Sequence, residues 1–166
     1  KKFNGNDIYF AGKGKNSFLY KFDYKNDKFI NLSARLNEEY DINVFDMDIS
    51  SDNSILLASN NGLYRMSADY SKLELFNIPE LVENMIKAVK IDKNGSTWVG
   101  TEKGLFLLEN NDFIYFTKKD GLANSSITYQ GLVFDKYNRI WIANANDVTF
   151  WQSTDSKITK TSIPKL

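Results

Sequence analysis

Apolar and polar residues alternate in short runs along most of the chain, and Asn, Asp, Gly or Ser ends each run. Phe45, Met47 and Ile49 alternate with Asp46 and Asp48, the period of two that marks a half-buried strand. The pattern predicts strands at 8–11, 18–22 and 29–32, then 42–49, 54–59, 63–66 and 73–77. It continues with 86–91, 96–100, 105–108 and 113–116, then 127–134, 139–143, 148–152 and 158–162. Only residues 79–84 offer a helical turn, too short to nucleate a stable helix alone.

The blocks repeat. Asp92-Lys93-Asn94-Gly95-Ser96-Thr97-Trp98-Val99-Gly100-Thr101 reads as strand, tight turn, strand, and weaker copies start at Ser50 and Asp135. The large residue of each second strand marks the period: 47 residues from Tyr9 to Leu56, 42 to Trp98 and 43 to Trp141. An all-strand repeat of about 40–50 residues is the spacing of propeller blades. The expected fold is therefore all-β, a β-propeller fragment of about four blades of four antiparallel strands. The first blade is expected to be incomplete, lacking its innermost strand. The whole of 1–166 is one propeller segment, with blades at about 1–32, 42–78, 85–117 and 127–163.

Composition narrows the function. Lysine plus arginine equal aspartate plus glutamate at 21 each, so no electrostatic footprint for nucleic acid or anionic membrane exists. Cysteine and histidine are absent, which removes disulfides, thiolate chemistry, Ser-His-Asp catalysis and most zinc sites from within the chain. No apolar run approaches the roughly 18 residues of a bilayer span, so direct membrane insertion is not expected. The abrupt start inside a repeat suggests a piece of something longer.

The string D-x-x-G-x-x-W-[VI]-G-T-x-x-G-L-[FY] runs from Asp92 to Phe106, and F-x-[YF]-T-x-x-D-G-L-x-x-x-x-I follows from Phe113 to Ile127. It resembles the regulator-propeller repeat of bacterial hybrid two-component sensor histidine kinases of the Bacteroides type. The match is full in the third unit. In the fourth, Asn144 replaces Thr101, and Asp147-Val148 replace Gly104-Leu105. It is partial in the second unit and weak in the first. The resemblance implies seven-bladed propellers on the periplasmic side of an inner-membrane protein, followed by a β-sandwich, a membrane helix, a histidine kinase and often a response regulator. It also implies sensing of oligosaccharides in the control of polysaccharide utilisation.

Within that frame the chain is expected to be a non-catalytic sensor segment, with no cofactor, no metal and no catalytic residue of its own. Its partners would be an oligosaccharide ligand, the rest of the parent propeller and sensor, and other copies through exposed blade faces. A protein-interaction scaffold and a fragment of a propeller carbohydrate-active enzyme are the alternatives, since fold alone does not choose. Ligand contacts are expected in loops that vary between copies: Lys15, Asn60, Asn61, Lys103, Asn124 and Asn146. Tyr9, Leu56, Trp98 and Trp141 are expected to be repeat core, because leucine substitutes at that position. Trp151 breaks the repeat and suggests an outer packing surface. Asp92, Asp135 and Gly95 read as turn residues, and Gly62 and Gly104 as positive-φ positions. The loop at 12–17 lacks a P-loop's first glycine, where Tyr9 stands, and has Asn16 in place of Ser or Thr. Asp46, Asp48 and Asp52 lack the spacing of a calcium loop.

Overall fold

The structure is a computed structural model and describes residues 2–5, 7–82, 84–109, 112–154 and 157–162. It is all-β, in four antiparallel sheets. The contacts divide the chain into two units, 1–86 and 87–166, each described by itself.

The first unit opens with β1 (Lys2–Asn4), β2 (Asp7–Ala11), β3 (Lys13–Lys15), β4 (Leu19–Asp23) and β5 (Lys28–Asn31). All but β3 form the first sheet, ordered β1-β2-β4-β5. The innermost strand expected to be missing from the first blade is therefore present. It pairs Lys2 with Tyr9 and Asn4 with Asp7, and its three residues are too few to show an alternation in sequence. The predicted flexible loop at 12–17 is likewise part strand. β3 crosses to the second sheet and pairs Lys13 with Asn43 and Lys15 with Asp41. There it satisfies an edge whose backbone groups would otherwise lack partners. That sheet continues with β6 (Asp41–Ile49), β7 (Ile55–Ser59), β8 (Gly62–Met66) and β9 (Leu73–Leu75). Residues 79–82 form the single helical turn that the sequence offers, with the Leu81 and Val82 N–H groups both donating to Ile78 O, at 2.8 and 2.9 Å.

The second unit begins at the second residue of β10 (Ile86–Ile91), which with β11 (Thr97–Thr101), β12 (Leu105–Glu109) and β13 (Asp112–Phe116) makes the third sheet. β14 (Ile127–Phe134), β15 (Arg139–Asn144), β16 (Val148–Thr154) and β17 (Lys157–Ser162) form the fourth. Between the sheets, Thr117 and Asp120 exchange capping hydrogen bonds around a short 3-10 turn that ends on Gly121 at φ +97°.

The conserved turn chemistry explains the repeat. Asp92 Oδ1 accepts from the N–H groups of Asn94 (2.8 Å) and Ser96 (3.0 Å), and Oδ2 accepts from Trp98 Nε1 at 3.3 Å. Asp135 repeats this with Tyr137 N–H (2.9 Å), Arg139 N–H (3.0 Å) and Trp141 Nε1 (3.0 Å). In the second sheet Ser50 holds the equivalent backbone place, and Asp52 folds the turn by accepting from Ser54 N–H and hydroxyl. Gly95 (φ +90°), Asn138 (+60°) and Asn53 (+65°) share the left-handed position, where Gly and Asn are best tolerated. Gly62 meets the positive-φ expectation at +121°, but Gly104 does not. Gly104 is required by crowding instead: a Cβ there would lie 2.4 Å from Phe116 O.

In the first unit Tyr9 packs with Phe18, Leu19, Ile55, Leu57 and Met66, while Leu56 is buried nearby along β7. In the second unit Trp98, Phe116, Leu132, Ile140 and Ile142 share one core with Trp151. Trp151 is thus interior, only 2 % exposed and 4.6 Å from the Phe116 ring. Alternation along β16 is the reason, since it turns Thr149 and Trp151 inward and Val148 and Phe150 outward. The outer face of this sheet carries Trp141, half-buried, at 4.8 Å from Phe150, with the Arg139 guanidinium above both rings.

Candidate functional site

One charged side chain in the second unit lies out of solvent. Lys87, second residue of β10, is only 11 % exposed at its side chain. Its ammonium lies 2.9 Å from Glu102, donates to Ser126 Oγ at 3.3 Å and sits 5.3 Å from the Tyr129 ring centre. Three elements supply these partners. Glu102 is on the loop after β11, Ser126 is on the crossing between sheets, and Tyr129 is within β14. The pairing of β14 with β15 shifts register between Ile127 and Leu132, and Gln130 there has φ +55°. Such a bulge re-aims side chains away from the regular ladder.

The residue that ends the second strand of each sheet differs in its task. Ser59 and Thr101 close their own loops, donating to the carbonyls of Gly62 (2.8 Å) and Gly104 (3.0 Å). Asn144 in the fourth sheet reaches further, donating through Nδ2 to the carbonyls of Asn124 (2.7 Å) and Ser126 (3.1 Å). Those two acceptors fix the amide orientation. They leave its buried Oδ1 without a donor among the described residues.

Asn124, Lys103 and Asn146 all belong to this corner. Asn124 meets Asn144, Lys103 follows Glu102, and Asn146 stands exposed in the turn closed by Asn144 N–H to Asp147 O at 2.9 Å. The Lys103 main chain is engaged by Thr101 and by the Tyr115 hydroxyl. In the first unit, Asn60 Oδ1 accepts from Asn43 N–H at 2.8 Å, and its Nδ2 donates to Asn61 at 2.7 Å. Asn43 also pairs with Lys13 of β3, so Asn60, Asn61 and that strand gather at one end of β6. Lys15 forms an exposed ion pair with Glu39 at 2.7 Å. Sequence reasoning missed Lys87, Tyr129 and Asn144. Only Asn144 left a trace, as a departure from the repeat.

The corner offers an ammonium, a carboxylate, a hydroxyl, amides and one aromatic face, groups that bind hydroxyl-rich or anionic ligands without a covalent step. No three His, Cys, Asp or Glu side chains come together to hold a metal among the described residues. Asp48 pairs with Lys2 at 2.5 Å, and Asp52 is held down to about 2 by the Ser54 hydroxyl and N–H, then by Arg65. At Asp135 partial burial pushes upward, but hydrogen bonds from Trp141, Arg139 and Tyr137 outweigh it and hold the carboxyl well below its usual range.

The fold is shared with known structures. Over 90 % of this chain it matches the extracellular domain of the hybrid two-component system BT4673 from B. thetaiotaomicron, at TM-score 0.68 and 17 % identity. The corresponding domain of BT3049 from the same bacterium matches over 98 % at TM-score 0.65 and 20 % identity. The chain spans 20 % and 21 % of those two domains. Virginiamycin B lyase from Staphylococcus aureus matches over 99 % of this chain and 54 % of its own, at TM-score 0.65 and 14 % identity. No family profile and no curated protein matches the sequence. The fold is that of a β-propeller segment, and the two-component domains are the kind of protein whose repeat motif the chain resembles. Among the described residues no helix is long and apolar enough to cross a membrane.

Proposed function

We propose that this chain is a non-catalytic, ligand-recognising segment of an extracytoplasmic sensor propeller, in a hybrid two-component histidine kinase that regulates polysaccharide utilisation. The observation that carries the reading is the Lys87 corner, where a nearly buried ammonium and the unfilled Asn144 acceptor meet polar loops. The ammonium would donate to ring or carboxyl oxygens, Asn144 would hold the Asn124 and Ser126 carbonyls of the adjoining loop in place, and Tyr129 would supply a face for a sugar ring. The motif and the structural neighbours support the sensor setting. The lyase likeness is a weaker guide to chemistry. One lyase structure is of a form made catalytically inactive by replacing a histidine with alanine, and this chain has no histidine.

Titration of the chain with neutral and acidic oligosaccharides, followed by chromatography of the glycan, tests the proposal. Saturable binding that Lys87→Met and Asn144→Thr both weaken, with the glycan recovered intact, is the expected result. Cleaved glycan would transfer the chain to the enzymes, and binding indifferent to both changes would remove the site.

The half-exposed aromatic face of the fourth sheet favours a second reading. That face would take a further sheet, a second copy of this chain included, as an interaction scaffold does. Sedimentation velocity decides it: a dimer that Trp141→Lys dissociates supports this reading, and the mass of a single chain at every concentration dismisses it.

A further inference from the structure

The first unit contains a cavity of about 470 Å³ whose lining includes none of the loop residues singled out above. β4, β5, the turn after them and the β8–β9 hairpin form its walls. Ile30 and Leu32 are apolar lining residues, and Phe22, Tyr24 and Tyr70 supply rings. A volume in this range suits a single ring-sized ligand.

Three observations point to an anion. First, the Arg35 guanidinium lies 5.6 Å from the Tyr70 ring centre and has no carboxylate in ion-pair range among the described residues. Second, the lining carboxylates already have partners other than Arg35. Asp7 pairs with Lys21 at 2.6 Å. Asp23 accepts from Lys25 N–H and Asn26 Nδ2 within its own turn. Third, Tyr70 holds φ +63° in a turn where Gly or Asn would rest without strain. Asp69 folds that turn by accepting from the Ser67 and Ser71 hydroxyls at 2.6 and 2.8 Å. The strained backbone presents the Tyr70 ring to Arg35 and its hydroxyl to Tyr9, with the two oxygens 3.1 Å apart. Burial and the Tyr70 hydrogen bond push the Tyr9 phenol up, so it stays protonated.

We propose that this cavity binds a small carboxylate carried on a ring, with Arg35 engaging the carboxylate and the Tyr70 ring flanking the ligand. A guanidinium fork matches a carboxylate in two parallel hydrogen bonds, and an aromatic face behind it holds the fork in place. Lys21 and Lys25 balance the lining carboxylates Asp7 and Asp23, so the cavity's single excess positive charge is the Arg35 guanidinium. A sugar acid and an aromatic acid present the same group, and the two are separated by experiment. This site does not depend on the sensor reading, because none of its residues belongs to the Lys87 corner.

The test is a two-dimensional NMR titration of the full chain with glucuronate, 4-hydroxybenzoate, and the neutral glucose and phenol. One acid is expected to shift the amides of the Arg35 and Tyr70 segments saturably, while neither neutral compound does. Arg35→Gln should weaken that binding by about tenfold or more, the loss of a charged hydrogen-bonded contact. Arg35→Lys keeps the charge without the fork and should recover only part of it. Tyr70→Asn keeps a residue suited to the turn while removing the ring, so it should weaken binding without loss of the native circular dichroism. Equal binding of acid and neutral partner, no binding of either acid, or binding that survives Arg35→Gln in a chain of unchanged circular dichroism would overturn the assignment.

Discussion

Trp98 and Trp141 occupy the same place in successive repeats of one unit, yet their surroundings differ. Both donate an indole N–H to the aspartate six residues earlier, at 3.3 and 3.0 Å. Trp98 is 5 % exposed, stacked on Phe116 and met edge-on by Phe134. Trp141 is half-buried, and its company is Phe150 and the Arg139 side chain of its own sheet. The hydrogen bond is therefore a local property of the repeat, fixed within a handful of residues. The burial is a property of the neighbouring sheet, since Leu132, Ile140 and Ile142 of the fourth sheet share the core with Trp98. Turn and packing are separable contributions to one conserved tryptophan.

Truncation should separate them most visibly. Trp98→Ala is expected to remove about 3–5 kcal/mol of stability, the loss for a large aromatic in a closed core. Trp141→Ala should remove about 1–2 kcal/mol, because part of its surface is already in water. Urea denaturation of the two variants checks the ordering, and equal losses would break the comparison.

Acid should act next, and on the turns. Asp135 titrates below its usual range when folded, so its stabilisation is complete above the ordinary carboxylate value of about 4 and fades as pH falls further. Asp52, held down to about 2, loses its share between about pH 4 and pH 2. Stability measured across that range should decline less steeply in Asp135→Asn than in the native chain. Unchanged steepness would mean that the carboxylate is as well solvated folded as unfolded.

The smallest effects belong to the left-handed positions. Gly95→Ala should destabilise by about 1 kcal/mol, because a Cβ strains φ +90° although no atom lies within 4 Å of it. Asn138→Gly, at +60°, should change stability by no more than about 0.5 kcal/mol. Thermal unfolding of both resolves the difference.

Much of this architecture was legible because it is local. The period between marker residues, the aspartate-led turns and the alternation in β6 arise within short stretches, so residue order alone carries them. What stayed hidden depends on distant partners. β1 and β3 are strands only because β2 and β6 pair with them. Trp151 looked peripheral since nothing near it in sequence announces Phe116. Lys87 read as one polar residue in an alternating strand, and its enclosure comes from Glu102, Ser126 and Tyr129. Tyr70 concealed itself differently, as an aromatic residue where turn preference expects Gly or Asn. The loop asparagines were singled out by their variability. Their partners were not, because a side-chain amide gives no sign in sequence of which carbonyl it will meet.

The aspartate clamp at each turn also bears on how such a chain is made. Asp92 and Asp135 complete their hydrogen bonds with residues no more than six positions ahead. Each hairpin can close as soon as that short length has left the ribosome, before the sheet that will cover it has been synthesised. Loop closure over so few residues is fast compared with chain elongation at about 5–20 residues per second. The clamp therefore fixes each turn's register ahead of the packing that stabilises the hairpin, and a gene that duplicates one repeat duplicates its clamp with it.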